Sequence, residues 1–492
     1  MEQHPPFPSG EGPAKASARP DVTNIDPTGD VILDVTFDTS RNTVRQAQKT
    51  ARAARLPVPA NIKHRTRFAY RVKISLMKKQ SKYFESLLGN TQFHEARVVK
   101  EALSVLSAAQ VKPADACPDD LPWIQIQDDD DATQTAGRDA VFSDLLRILH
   151  GQDIATKPIT MTFVTTLAIL ADRFTCTAVI SRCLATRLKF KWPATHKGPR
   201  ADDSTGLTES AEGLLRQKIL AAWLLDQPPR LQAATRDLIM FGSRQWSFVS
   251  EVLSEDKPSW WDLPDDLENE LRHRREAVMN TISSVLRHFL SLYTSRGARQ
   301  CKLGYDSSAS CDSYQLGEMV RFFAHKNLLH LTDFGPASVY DIPDHCQMDM
   351  EEVIATLRQF PGYQVDPHHT NCGLRIRILP ILEYIQTMLA SGAIAISSTA
   401  WKTNRAATTW ISPGDGTQEC SESKSDKVFR FTRSISSDQR LRYEGAMAAE
   451  KLAKALFTAN EWDWTPEDDI FSHTSFPGEF RPLGFNRDRT RR

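Results

Sequence analysis

The chain has 492 residues and a formal net charge of zero, a length that predicts two or three domains and a balance that excludes a protein coating nucleic acid along its whole surface. Hydrophobic residues make up 40%, enough for packed cores beside long polar segments. Eight cysteines without a short-range framework predict reduced thiols and a cytoplasmic or nuclear setting, and nothing in the chain has the apolar centre of a secretory signal or the unbroken apolar length of a membrane span.

In chain order, residues 1–27 carry several prolines, among them those at 5, 6, 8, 13 and 20, and few large apolar side chains, so they read as disordered. Val31 to Phe37 is rich in β-branched residues and predicts a strand. From Arg41 to Lys82 there are 13 Lys and Arg and no acidic residue. Within that stretch Arg41, Arg45, Lys49 and Arg52 stand at helical spacing and form one basic stripe. A solvated surface helix explains the stripe. So does an electrostatic arm for phosphate backbone or an acidic partner, although no interleaved aromatics accompany the charge. Leu56-Pro57-Val58-Pro59 ends the helix.

Phe68 to Ile74 resumes strand character, and Met77 to Gly89 reads as one helix burying Phe84, Leu87 and Leu88. Glu95 to Leu106 fits no single period. A polar loop from Ala108 to Asp120 carries Cys117, and Leu121 to Ile126 alternates as a short strand. The acidic run Asp128–Asp131 lacks the spaced ligands and glycine of a calcium loop and reads as a solvated turn before a helix N-terminus. After Gly137-Arg138-Asp139, Phe142, Leu145, Leu146 and Leu149 recur at i, i+3, i+4 and i+7, a helix with one buried face that His150 and Gly151 end. Phe163, Leu167, Leu170 and Phe174 mark another, and Val179, Ile180, Cys183 and Leu184 continue the pattern.

These segments, in this order, resemble the BTB/POZ family, and in particular the BTB-like proteins of filamentous fungi. Gly29 to Val35 resembles the first strand of that domain and Tyr70-Arg71-Val72 the second. Ser81 to Phe84, Leu87-Leu88 and Phe93-His94-Glu95 resemble the helix and loop that follow. Phe142 to Gly151 and Leu170 to Cys176 resemble the second half. The sequence departs from the common pattern at Lys73, where many members carry His, and at Lys82, where many carry Pro. The resemblance covers roughly residues 28–190 and implies a small sheet flanked by helices with protein partners. In cullin-binding members an apolar residue, any residue and then Glu stand after the third-helix region. Phe93 and Glu95 match that pattern, so a cullin-type ubiquitin-ligase scaffold is the implied partner. Many members dimerise through a helix and strand before the core. No apolar helix stands within 1–27, so self-association is expected to be weak or absent.

Beyond a compositional linker at 193–207, helical periodicity dominates. Leu215, Ile219 and Trp223 mark one helix, and Leu231, Ala234 and Leu238 another. Val278, Ile282, Val285, Phe289 and Leu292 step by four, three, four, three. Leu316 to Phe323, Met350 to Leu357 and Ile378 to Leu389 give three more stripes, so an all-α domain is expected over 208–400. Residues 401–436 are a polar loop, and 437–492 hold an Ala-rich helix and a tail whose Trp462, Trp464 and Phe476 should pack onto a neighbour.

No phosphate-binding glycine loop, nucleophile elbow, kinase set or His-Glu-x-x-His helix is present, which argues against an enzyme. One cluster has metal-ligand chemistry. Cys301 and Cys311 flank a short loop, with His345-Cys346 and His368-His369-x-x-Cys372 downstream. Cys301, Cys311, His369 and Cys372 suit zinc, although two cysteines ten apart exceed the gap of about two to four residues in common structural sites. Ordinary core cysteines with loop histidines are the other reading. The expected architecture is therefore α+β: a BTB/POZ-like domain at 28–192 with a basic insertion at 38–67, followed by the helical domain. The expected function is a non-enzymatic interaction scaffold needing no cofactor unless the zinc reading holds. The alternative is a nuclear regulator that binds nucleic acid through the insertion.

Overall fold

The computed structural model describes residues 19–53, 63–195, 207–246, 262–295, 299–301, 303, 305–332, 348–390, 392–411, 428–431 and 445–465. Expectations for residues 1–18, the Leu56–Pro59 helix stop, His345, Cys346 and Phe476 lie outside these residues. The described chain is mixed α+β and mostly helical, with a small sheet near its N-terminus. It falls into two compact units. The first takes in the residues up to 195 and Ser210–Ala234, and the second those from Asp266 onward together with 235–246.

The sheet of the first unit contains β1 (Val22–Asn24), β2 (Val31–Asp38), β3 (Arg65–Val72) and β4 (Trp123–Asp128), in the order β1-β3-β2-β4. β2 runs antiparallel to β3, from Val31 opposite Val72 to Asp38 opposite Arg65, and parallel to β4. Side chains alternate between faces along a strand. Val31, Leu33, Val35 and Phe37 therefore enter the main core, while Ile32 joins a smaller cluster with Ala69, Leu106, Ala116 and Leu121. Both faces are covered, and Asp34, buried on the second face, is paired with Arg67 on β3. The strand β1 lies in the stretch whose composition suggested disorder; parallel pairing with β3 orders it.

Helix α1 (Arg41–Ala53) follows β2, and α2 (Ile74–Gln80) follows β3. The single helix expected over 77–89 is two, because α3 (Lys82–Gly89) restarts at Ser81. The Ser81 hydroxyl accepts from the Phe84 amide and donates to the Phe174 carbonyl at 2.6 Å, so one side chain caps the new helix and fixes it to a distant segment. The ambiguous stretch is α4 (His94–Ala108), whose buried residues are only Ala96, Val99 and Leu106. Then come α5 (Arg138–Leu149), α6 (Met161–Arg173) and α7 (Thr177–Thr186). Phe174 stacks on Phe84 at 5.4 Å and meets Phe142 edge-on at 5.3 Å, so the aromatic centre draws on α3, α5 and the end of α6.

The acidic run is not a solvated turn throughout. Asp128 is buried, bonded to Arg138 Nε at 2.8 Å and also paired with Arg173. Asp130 is buried as well and accepts the Ser40 amide at 3.0 Å, while Asp129 and Asp131 are exposed. Arg138 further donates to the carbonyls of Asp38 and Thr135, so the start of α5 is fastened to the ends of β2 and β4.

Helix α8 (Glu209–Leu224) follows. Composition placed it at the start of the helical domain, yet Ser210–Ala234 groups with the first unit. The reason is packing: Ala221 and Leu225 join the main core, and Lys218 and Gln227 bond to Thr195 and Ser181. The remaining helices are α9 (Pro228–Phe241), α10 (Leu267–Thr294), α11 (Ser308–His325), α12 (Met350–Arg358), α13 (Arg375–Ala390), α14 (Ser398–Thr403), α15 (Arg405–Thr408) and α16 (Gly445–Phe457). Along α10, Val278, Ile282, Val285 and Phe289 are buried, as their spacing predicts. The same helix buries a charge pair, Glu270 and Arg274, bonded at 2.7 Å. A short parallel pair, β5 (Val428–Arg430) and β6 (Glu461–Asp463), brings Phe429 and Phe431 against Trp464, which is buried.

Candidate functional site

Within the second unit the chain brings Cys301, Cys311, His369 and Cys372 together, with one donor atom from each all within 4.8 Å of one another. Each is at most 9% exposed. The ten-residue gap closes because Cys311 lies in the first turn of α11 and the loop before it folds back. Asp312 makes that fold: its two carboxylate oxygens accept the backbone amides of Gln300 and Cys301, each at 2.8 Å. Arg377 on α13 holds the same loop by donating to the Gln300 carbonyl and side chain. On the other side Asp366 accepts the amides of His368 and His369 and sets the turn that delivers His369. Gln315 on α11 donates to the Tyr363 carbonyl and ties that loop back to the helix.

The imidazole of His369 is oriented. Its Nδ1 lies 3.7 Å from Cys301 Sγ, and its Nε2 lies 2.8 Å from Ser307 Oγ. With Nε2–H donating to Ser307, Nδ1 presents a lone pair to the sulfurs. Cys301 Sγ is also 3.7 Å from Cys372 Sγ. Burial opposes ionisation of Cys301, but the Ser308 hydroxyl, the Leu303 amide and the neighbouring thiols hold it below the usual thiol range. Burial pushes the Cys311 thiol up to about 12, reinforced by the charge its two neighbours would carry. Burial likewise raises Cys372. The supporting residues Ser307, Ser308, Asp312 and Asp366 escaped the sequence reading. Asp366-Pro367 before the two histidines is a turn signal that points to one of them.

The other candidate residues lie in the first unit. Phe93 precedes α4 and is 44% exposed, a high value for an aromatic side chain at a helix start. Glu95 is half-buried in the first turn of α4. The Tyr83 hydroxyl is shifted upward, first by burial and then by the Glu95 carboxylate. Arg41, Arg45, Lys49 and Arg52 are all exposed along α1, while Thr43 and Val44 turn inward. The Cys/His cluster and these two surfaces are separate features of the chain.

No protein-family model, no curated protein and no solved structure matches this chain.

Proposed function

We propose that the chain is a non-enzymatic protein–protein interaction scaffold whose first unit is a BTB/POZ-type domain, with the Phe93–Glu95 corner engaging a cullin-type ubiquitin-ligase scaffold. The observation that carries this reading is the exposure of Phe93 beside Glu95 at the start of α4. An aromatic side chain left in water at a helix start is available to fill a partner's pocket, and a carboxylate at its rim can accept hydrogen bonds there. The order of elements supports the domain type: two antiparallel strands, the helices α2 to α4, a third strand parallel to the first, then α5 to α7. Lys73 and Lys82 stand where that family commonly carries His and Pro. The Lys73 amide donates to His150 Nε2, so backbone at that position is fixed by the end of α5.

A pull-down of a cullin N-terminal domain tests the proposal. Phe93→Ala with Glu95→Ala is expected to lower recovery about tenfold, roughly 1.4 kcal/mol, with the circular dichroism spectrum unchanged. Equal recovery from the variant, or none from the wild type, removes the ligase-adaptor function.

The exposed stripe on α1 favours a second reading, a nuclear regulator that binds a polyanion through its basic insertion. Here the expected result is salt-sensitive retention on a polyanion column that disappears when Arg41, Arg45, Lys49 and Arg52 become Ala. Retention that survives the four substitutions excludes the stripe as the binding face.

A further inference from the structure

We propose that Cys301, Cys311, His369 and Cys372 bind one zinc ion in a closed, structural site. Four observations converge on this. The first is donor chemistry: three sulfurs and one imidazole nitrogen form a set that zinc takes in tetrahedral structural sites. The second is spacing. Zinc–sulfur bonds of about 2.3 Å at tetrahedral angles separate two sulfurs by about 3.8 Å. Cys301 Sγ lies 3.7 Å from both Cys372 Sγ and His369 Nδ1, and the whole set spans no more than 4.8 Å.

The third observation is what surrounds the cysteines. Buried cysteines in an ordinary core pack among leucines, valines and aromatics. Among the described residues these three form a small apolar cluster of their own. Such a cluster has little reason to exist as a hydrophobic core. The fourth is the outer arrangement. Ser307 Oγ lies 2.8 Å from His369 Nε2, and with Nε2–H donating there Nδ1 is left as the ligating nitrogen, the support that metal-bound histidines commonly have. The Ser308 hydroxyl, at the start of α11, is buried and has no hydrogen-bond partner among the described residues. Asp312 and Asp366 lock the backbone on either side.

Because four protein donors fill a tetrahedron, no position remains for water or substrate, so the ion is structural rather than catalytic. Its effect is to join the loop before α11 to the turn before α13. All four donors belong to the second unit.

The experiment uses the full chain, purified under reducing conditions without a polyhistidine tag. Elemental analysis is expected to find one zinc per chain. A chelator should remove it and lower the thermal midpoint, and added zinc should restore both. Cobalt(II) added to the metal-free protein should give the intense visible bands and sulfur-to-metal charge transfer of a tetrahedral thiolate-rich site, a measurement that needs no variant to fold. Cys301→Ser with Cys372→Ser should abolish the cobalt spectrum, whereas Cys117→Ser should leave it intact. Reduced protein that takes up neither zinc nor cobalt overturns the proposal. So does a cobalt spectrum unaffected by the double substitution, or a native disulfide between Cys301 and Cys372 found by mass spectrometry.

Discussion

Replacing Glu270 with alanine is expected to destabilise the second unit by about 3–5 kcal/mol, the range for removing one partner of a buried ion pair. Glu270 and Arg274 are both essentially inaccessible to solvent. Arg274 also donates to the carbonyls of Ile394, Ala395 and Thr408 and lies over the Trp410 ring at 4.7 Å. Glu270 accepts from the Thr409 hydroxyl at 2.6 Å and the Trp410 amide at 2.9 Å. The pair thus holds the segment 394–410 against α10. Without the carboxylate, a guanidinium whose pKa burial already lowers is left in the core without its counter-charge. Differential scanning calorimetry should show the loss as a fall of about 2–4 °C per kcal/mol in the transition of this unit. Glu270→Met combined with Arg274→Leu should cost less than Glu270→Ala alone, because no charge then remains buried. A midpoint within error of wild type for Glu270→Ala would falsify the clamp.

Asp128→Ala is expected to have an effect of similar size on the first unit, about 3–5 kcal/mol. Its carboxylate meets Arg138 on one oxygen and Arg173 on the other, and the Arg138 side chain is 1% exposed. The substitution strands Arg138 at the junction of β2, β4 and α5. Arg173, about one-third exposed, can turn to water and contributes less. Arg173→Ala should therefore cost well under half of what Asp128→Ala costs. Urea unfolding measures both. Equal losses for the two variants would show that the buried arm of the network is not the stronger one.

These two ion-pair networks mark where the sequence stops being legible. The stripes of α5, α6, α10, α12 and α13 could be read because burial on one helix face imposes a local period. The pairing of Asp128 with Arg173, 45 residues away, leaves no such mark. An acidic run beside a glycine turn looks the same whether its first carboxylate faces water or two arginines. The break at Ser81 was hidden for the same reason, since Met77, Phe84 and Leu88 fit one continuous helix and only the distant Phe174 carbonyl decides otherwise. β1 owes its order to the edge of β3, and α8 owes its unit to Ala221 and Leu225, both choices of partner rather than of composition.

The candidate site was legible in its chemistry and not in its geometry. Residue type alone singled out Cys301, Cys311, His369 and Cys372. Whether the nine residues between Cys301 and Cys311 fold back or run on depends on Asp312 catching two amides, and nothing in the local pattern announces that. Phe93 was equally open, because a phenylalanine before a helix packs inward more often than it faces solvent.

The paired register of β2 and β3 ends at Asp38 opposite Arg65, one more backbone hydrogen bond runs from the Thr39 amide to the His64 carbonyl, and residues 40 to 63 lie beyond it. The near part of that excursion is secured by Ser40, bonded to Asp130, and by buried Val44. Closing a connection grows costlier only with the logarithm of its length, about 0.6 kcal/mol for each doubling. Residues can therefore be gained or lost past Val44 without shifting the pairing that sends Val31, Leu33, Val35 and Phe37 inward. A foreign segment can be spliced into the excursion while the sheet beneath keeps its register.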